Sequence, residues 1–72
     1  MKIWIIEVVW PDDEGTTFNL GLTKESAEAD FLAEMVDLDD GENPDAKELT
    51  IDDWVEFHGI RDLTISEREV AQ

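Results

Sequence analysis

The chain contains no cysteine and no tyrosine, a single histidine, two prolines, and only five lysines and arginines among its 72 residues. Each scarcity removes a class of function. Without cysteine there is no disulfide framework and no thiolate site for zinc or an iron–sulfur cluster. The lone His58 rules out a multi-histidine metal centre. A Ser–His–Asp arrangement would have to join His58 to Ser26 or Ser66, and nothing resembling a nucleophile elbow surrounds either serine. The apolar start of the chain, Met1 to Ile6, is interrupted by Glu7 and has no small-residue cleavage pattern, so neither a signal peptide nor a membrane span is expected. The lack of cysteine fits a reducing cytoplasm.

What is abundant is negative charge. Twenty aspartates and glutamates leave a formal net charge of −15. A compact chain of this length would have a radius of gyration of roughly 11 Å and a diameter near ~29 Å. Duplex DNA of that length carries about 17 charges, so the protein approaches the charge of the duplex it could replace. Repulsion excludes nucleic acid and anionic membrane as direct partners and leaves a basic protein surface as the natural one. Carboxylate pairs are everywhere, but a glycosidase-like pair needs a cleft and a substrate platform. So short a chain buries only about 60% of its unfolded surface. No catalysis, metal or cofactor is expected. The hydrophobic content of 42%, with three tryptophans and three phenylalanines, is too high for a disordered acidic tail.

The pattern along the chain predicts one acidic α+β domain over residues 1–72, in the order ββααβ. Residues 2–10 are β-branched and aromatic almost throughout and read as a strand. Trp4, Ile6, Val8 and Trp10 fall on one face, Ile3, Ile5, Glu7 and Val9 on the other; apolar residues on both faces mark a central strand. The turn residues 11–15 then lead to a second strand over 16–22, paired antiparallel, with Phe18, Leu20 and Leu22 on one face. Thr23 caps a helix running to about Leu38, whose apolar stripe is Ala27, Phe31, Met35 and Leu38. Asp30, Glu34 and Asp37 are read on its opposite, outward face. After a polar loop, Thr50 opens a short helix in a capping box with Asp53, and Gly59 followed by Ile60 closes it as in a Schellman ending. Residues 62–70 form the third strand. The expected architecture is a three-stranded, mainly antiparallel sheet with strand 1 in the middle and both helices on one face. The direction of strand 3 stays open. Trp4, Ile6, Val8, Phe18, Leu20, Phe31, Met35, Trp54 and Ile65 are expected inside.

The loop between the helices invites comparison with an EF-hand, whose acidic ligands stand at positions 1, 3 and 5, with glycine at 6 and glutamate at 12. Counted from Asp37, Asp39 and Glu48 fit, but Gly41 falls at position 5 and Glu42 at position 6, which removes a ligand and misplaces the turn. No metal site is assigned. Trp10, beside the acidic turn, suits either an anchor for a partner or a cover for the end of the sheet.

The acidic residues cluster in Asp12, Asp13 and Glu14, in Asp30, Glu34 and Asp37, and in Asp39, Asp40 and Glu42, which with Trp10 form the expected partner-binding surface. In size, charge and lack of catalytic groups the chain resembles the small acidic proteins that bacteriophages use against host defence, the DNA-mimicking anti-restriction and anti-CRISPR inhibitors. That resemblance implies a phage origin and, as target, the basic groove of a host nuclease or CRISPR effector in the host cytoplasm. Two other readings stand beside it. One is an acidic dimeric structural or interaction protein. The other is a small domain adapted to a salty cytoplasm, which would need molar salt to fold. Ile3, Ile5 and Val9, with only Thr17 and Asn19 of strand 2 beside them, are left on the uncovered face of the sheet. A homodimer through this face is the simplest cover; the alternative is that it receives the partner.

Overall fold

A computed structural model describes residues 1–71. Strand β1 (Lys2–Val9) is followed by β2 (Thr16–Gly21), helix α1 (Lys24–Asp39), a single 3-10 turn (Ala46–Glu48), helix α2 (Ile51–His58) and strand β3 (Asp62–Glu69). The strands form one sheet in the order β2-β1-β3. Both pairings are antiparallel, so the two helices return β3 against the direction of β1. The expected ββααβ layout is the observed one. The β1–β3 ladder is extended beyond the strands by Arg61 N–H donating to the Val9 carbonyl and Val70 N–H to that of Met1.

Local chemistry fixes the helix ends. At the start of α1, the Thr23 hydroxyl accepts from the Ser26 N–H at 3.0 Å and the Ser26 hydroxyl accepts from the Thr23 N–H at 3.0 Å. The same reciprocal box joins Thr50 and Asp53 at α2. Gly59, at φ 65°, ends α2, and Ile60 N–H donates to the Val55 carbonyl at 3.0 Å, the long bond of a Schellman motif.

The core is built from the even-numbered residues of β1, Ile6 and Val8, against Ala27, Phe31 and Met35 of α1, Trp54 of α2, and Ala46 and Ile60. Trp4, Trp10, Leu63 and Ile65 pack half-buried around it. Phe18 and Leu20 are corrections: they are 58% and 55% exposed, on the sheet face away from the helices. Five loop residues, 11–15, would pair Trp10 with Thr16 and keep Phe18 on the face of Val8. In the structure Trp10 joins the loop, its N–H donating to the Gly15 carbonyl, and Val9 pairs with Thr16. That one-residue difference turns every β2 side chain over. Thr17, Asn19 and Gly21 therefore face α1, and Phe18 and Leu20 lie beside Glu7 and Ile5. Leu38 is a second correction. It is 57% exposed, and Asp39 takes the next place on the buried stripe.

Gly21 is the point where β2 runs closest to α1. A Cβ here would lie 2.8 Å from Ala27 Cα and nearer still to the Ala27 nitrogen and the Ser26 hydroxyl. Both are locked in the first turn and its cap, so neither can move aside cheaply. Gly21→Ala should cost about 2 kcal/mol and lower the melting temperature by about 10 °C. A circular-dichroism melt within 2–3 °C of the parent (roughly half a kcal/mol) would show that β2 can lift off the helix.

Candidate functional site

The flipped hairpin places Asn19 under α1, and the main acidic cluster is organised around it. Asn19 is 2% exposed, and its amide nitrogen donates to Asp30 Oδ2 and to Glu34 Oε2, each at 2.9 Å. Both donors of one buried amide are thereby used, and two carboxylates are held side by side at the rim of the β2 edge. Asp30 and Glu34 thus do not point away from the core as the sequence reading had it. At about 100° per residue they flank the Ala27–Phe31–Met35 stripe rather than oppose it. Asp37 is exposed one turn further on. Among the described residues, the ion pairs are those of Lys2 with Glu67 and of the N-terminus with Glu69, so no cation neutralises the Asn19-held pair.

The hairpin turn brings a second group of carboxylates to the same side. Asp12, at φ 58°, Asp13 and Glu14 are all exposed. Glu14 and Glu34 line one shallow depression of about 310 Å³, with Trp10, Thr17 and Leu38 as its remaining walls. Trp10 Nε1 donates to the Thr17 hydroxyl at 2.8 Å, and its ring meets His58 edge-on at 5.4 Å. The indole both covers the end of the sheet and offers a fixed apolar wall between carboxylates. The structure thus brings Glu14, Glu34 and Trp10 to one depression and ties Asp30 to Glu34 through Asn19, with Asp12 and Asp13 exposed in the adjoining turn.

The loop after α1 is divided. Asp40 and Glu42 are exposed, but Asp39 is 2% exposed, and its two oxygens accept from the Asn43 backbone N–H at 2.8 Å and side-chain amide at 2.7 Å. Asp39 therefore shapes the loop, with each carboxylate oxygen already accepting one hydrogen bond from Asn43. Asn19 and Asn43, the residues that hold these acids, were not singled out from the sequence. Only a known hairpin register would have pointed to Asn19.

The remaining features are structural. His58 stacks on Trp54 at 5.6 Å and meets Phe57 edge-on at 5.0 Å. The Ser26 hydroxyl is committed to the α1 cap, and Ser66 lies on the sheet face opposite the helices. A second concavity, about 600 Å³, runs between α1, α2 and β3; Leu32, Leu49, Ile51, Leu63 and Ile65 make its floor and Glu25, Glu28 and Asp52 its rim. Among the described residues no group of three or more histidine, cysteine or acidic side chains is placed to hold a metal ion, and no helix is long and apolar enough to cross a membrane. The fold and its surface define an acidic α+β domain with carboxylates braced by a buried amide. Comparison with protein-family models, curated proteins and solved structures finds no match.

Asn19→Asp tests the bracing. It replaces the shared donor with a third carboxylate of the same shape, buried against two others. The expected loss is about 3 kcal/mol or more, read as a melting temperature at least ~10 °C lower at low salt. Part of it should return in ~0.5 M salt as screening relieves the repulsion. A melt equal to that of the parent at low salt would mean that Asp30 and Glu34 simply swing into solvent.

Proposed function

We propose that the protein is a non-catalytic inhibitor that offers carboxylates in place of phosphates to a basic, nucleic-acid-binding groove of a host nuclease or CRISPR effector in the host cytoplasm. The observation that carries this reading is the uncompensated Asp30–Glu34 pair, fixed by Asn19 next to Glu14 and the wall of Trp10. Carboxylates already held in place lose less freedom on binding than free side chains do. Facing lysines and arginines, they gain from charge-assisted hydrogen bonds and from release of the counterions that both surfaces had gathered. Asp12, Asp13, Asp37, Asp40 and Glu42 widen the negative field around them, which steers encounter with a basic groove. The longest dimension of 41 Å corresponds to about 24 phosphates of duplex, little more than one helical turn, so the −15 of the chain amounts to over half the charge of the backbone it would replace.

The reading is tested with purified nucleases and CRISPR effectors, scored first for loss of DNA binding and then for direct association with the protein. The affinity for the true target should fall about 100-fold between ~50 and ~500 mM salt. Asp30→Asn, Glu34→Gln and Asp37→Asn together keep the shapes and the Asn19 contacts but remove three charges. They should weaken binding at least tenfold while leaving the melting temperature unchanged or higher, since like-charge repulsion in the folded state is reduced. Affinity indifferent both to salt and to the triple variant would overturn the proposal.

A further inference from the structure

The corrected hairpin register changes the uncovered face of the sheet. By strand pairing it is formed by Ile3, Ile5, Glu7 and Val9 of β1, Thr16, Phe18 and Leu20 of β2, and Asp62, Thr64, Ser66 and Arg68 of β3. It is therefore larger and more apolar than Ile3, Ile5 and Val9 alone, and it is less acidic than the chain as a whole. Of the twenty acidic side chains only Glu7 and Asp62 stand on it, and of the basic ones only Arg68.

We propose that this face is the interface of a homodimer, packed sheet to sheet about a two-fold axis near Ile5. The occupant is identified by self-complementarity. In a two-fold interface each residue must suit the residue that the axis brings onto it. Glu7 is opposite Thr64, and Arg68 is opposite Ile3, so the two charges sit on neighbouring strands four residues apart, about 14 Å by strand rise and spacing. An axis in the interface plane, passing midway between them, runs beside Ile5 and exchanges their positions. Glu7 of each copy then meets Arg68 of the other. The same axis lays Phe18 over the second copy's Ile3 and Ile5 against its own counterpart. The strands of the two sheets then cross at about 40° by strand rise and spacing, a little wider than the usual angle of aligned sheet packing. Thus the acid in the middle of the patch is not buried alone, and the acidic helices lie on the two outer surfaces, as far apart as the fold allows.

The face measures about 14 by 26 Å. Two such faces bring together roughly 700 Å² in projection, below the standard size of specific interfaces, so the dimer should be weak, with a dissociation constant on the order of 50 μM. The net charge of −15 on each chain opposes association, so the dimer should tighten severalfold as salt screens the outer helices. The proposal does not rest on charge mimicry, because neither Asn19, Asp30 nor Glu34 belongs to this face.

Sedimentation velocity of the full chain from ~5 to ~500 μM, at ~50 and ~500 mM salt, reads the equilibrium across that constant. The parent should pass from monomer to dimer. Phe18→Ser and Leu20→Ser are at exposed positions, and each should weaken the dimer at least tenfold with the melt of the dilute monomer retained; two independent variants guard against loss of fold in one. Glu7→Arg and Arg68→Glu should each weaken it at least tenfold, and the two together should restore it to within threefold of the parent. A parent that stays monomeric at 8.2 kDa throughout would overturn the proposal and leave the face to a different protein. A dimer indifferent to both serine variants, or a charge exchange that restores nothing, would overturn this interface.

Discussion

The structure depends on one constraint: β1 carries apolar side chains to both faces of the sheet, and the chain has helices enough to cover only one. A strand of this composition has to be central, because its backbone groups need partners on both edges and its side chains need neighbours above and below. β2 and β3 take the two edges, and α1 and α2 cover the face of Ile6 and Val8. Trp54 and Phe31, fully buried, are the largest contributors to that side. With a core so small, each such side chain contributes about 1.5–3 kcal/mol, a large share of the stability of a domain this size.

The features legible in the sequence are those that local chemistry decides. Thr23 and Thr50 mark helix starts because a hydroxyl three residues from a second acceptor can satisfy two otherwise unpaired N–H groups. Gly59 marks a helix end because a left-handed residue followed by apolar Ile60 closes the last turn. The central place of β1 follows from its two apolar faces. What composition could not supply was the parity of the first loop. Whether Trp10 counts as strand or loop changes nothing about the existence of the hairpin, yet it decides which side of β2 meets the helix. Phe18 and Leu20 have the more apolar side, and burial alone would favour placing them inside. They are excluded by the close approach of α1 at Gly21, where only a hydrogen atom fits, and by the bond between Trp10 and Thr17, which locks the alternate residues inward. The same parity sets the role of Asn19, which in the other register would be an ordinary surface amide.

Electrostatics had to be reconciled with this packing. The exposed ion pairs at the β1 and β3 ends, 3.4 and 3.6 Å long, add little. Repulsion is instead limited by placement. Glu25, Asp52 and Asp53 sit in first helical turns, where the unpaired N–H groups favour negative charge. Asp39 is buried with both oxygens hydrogen-bonded, and Asp30 and Glu34 share the amide of Asn19. Apart from Glu7 and Asp62 on the open face of the sheet, the acids that remain free are in the hairpin turn, the interhelical loop and the outer flank of the helices, where water solvates them.

This distribution means that the two faces of the sheet answer to different forces. On the helix side the charge is dense, and its Asn19-held pair is fixed by hydrogen bonds without a counter-cation, so any partner there is recognised by charge and released by salt. On the open side the charge is sparse and the apolar side chains of β1 and β2 dominate, so any partner there is recognised by shape and burial and held more firmly as salt rises. A surface residue added purely for solubility would be indifferent to which face it occupied. The open face, with Ile3, Ile5, Val9, Phe18 and Leu20 around its two acids, departs from that in a chain with twenty carboxylates. The departure separates a face built to stay in water, or to meet positive charge, from a face whose apolar side chains are most stable when covered.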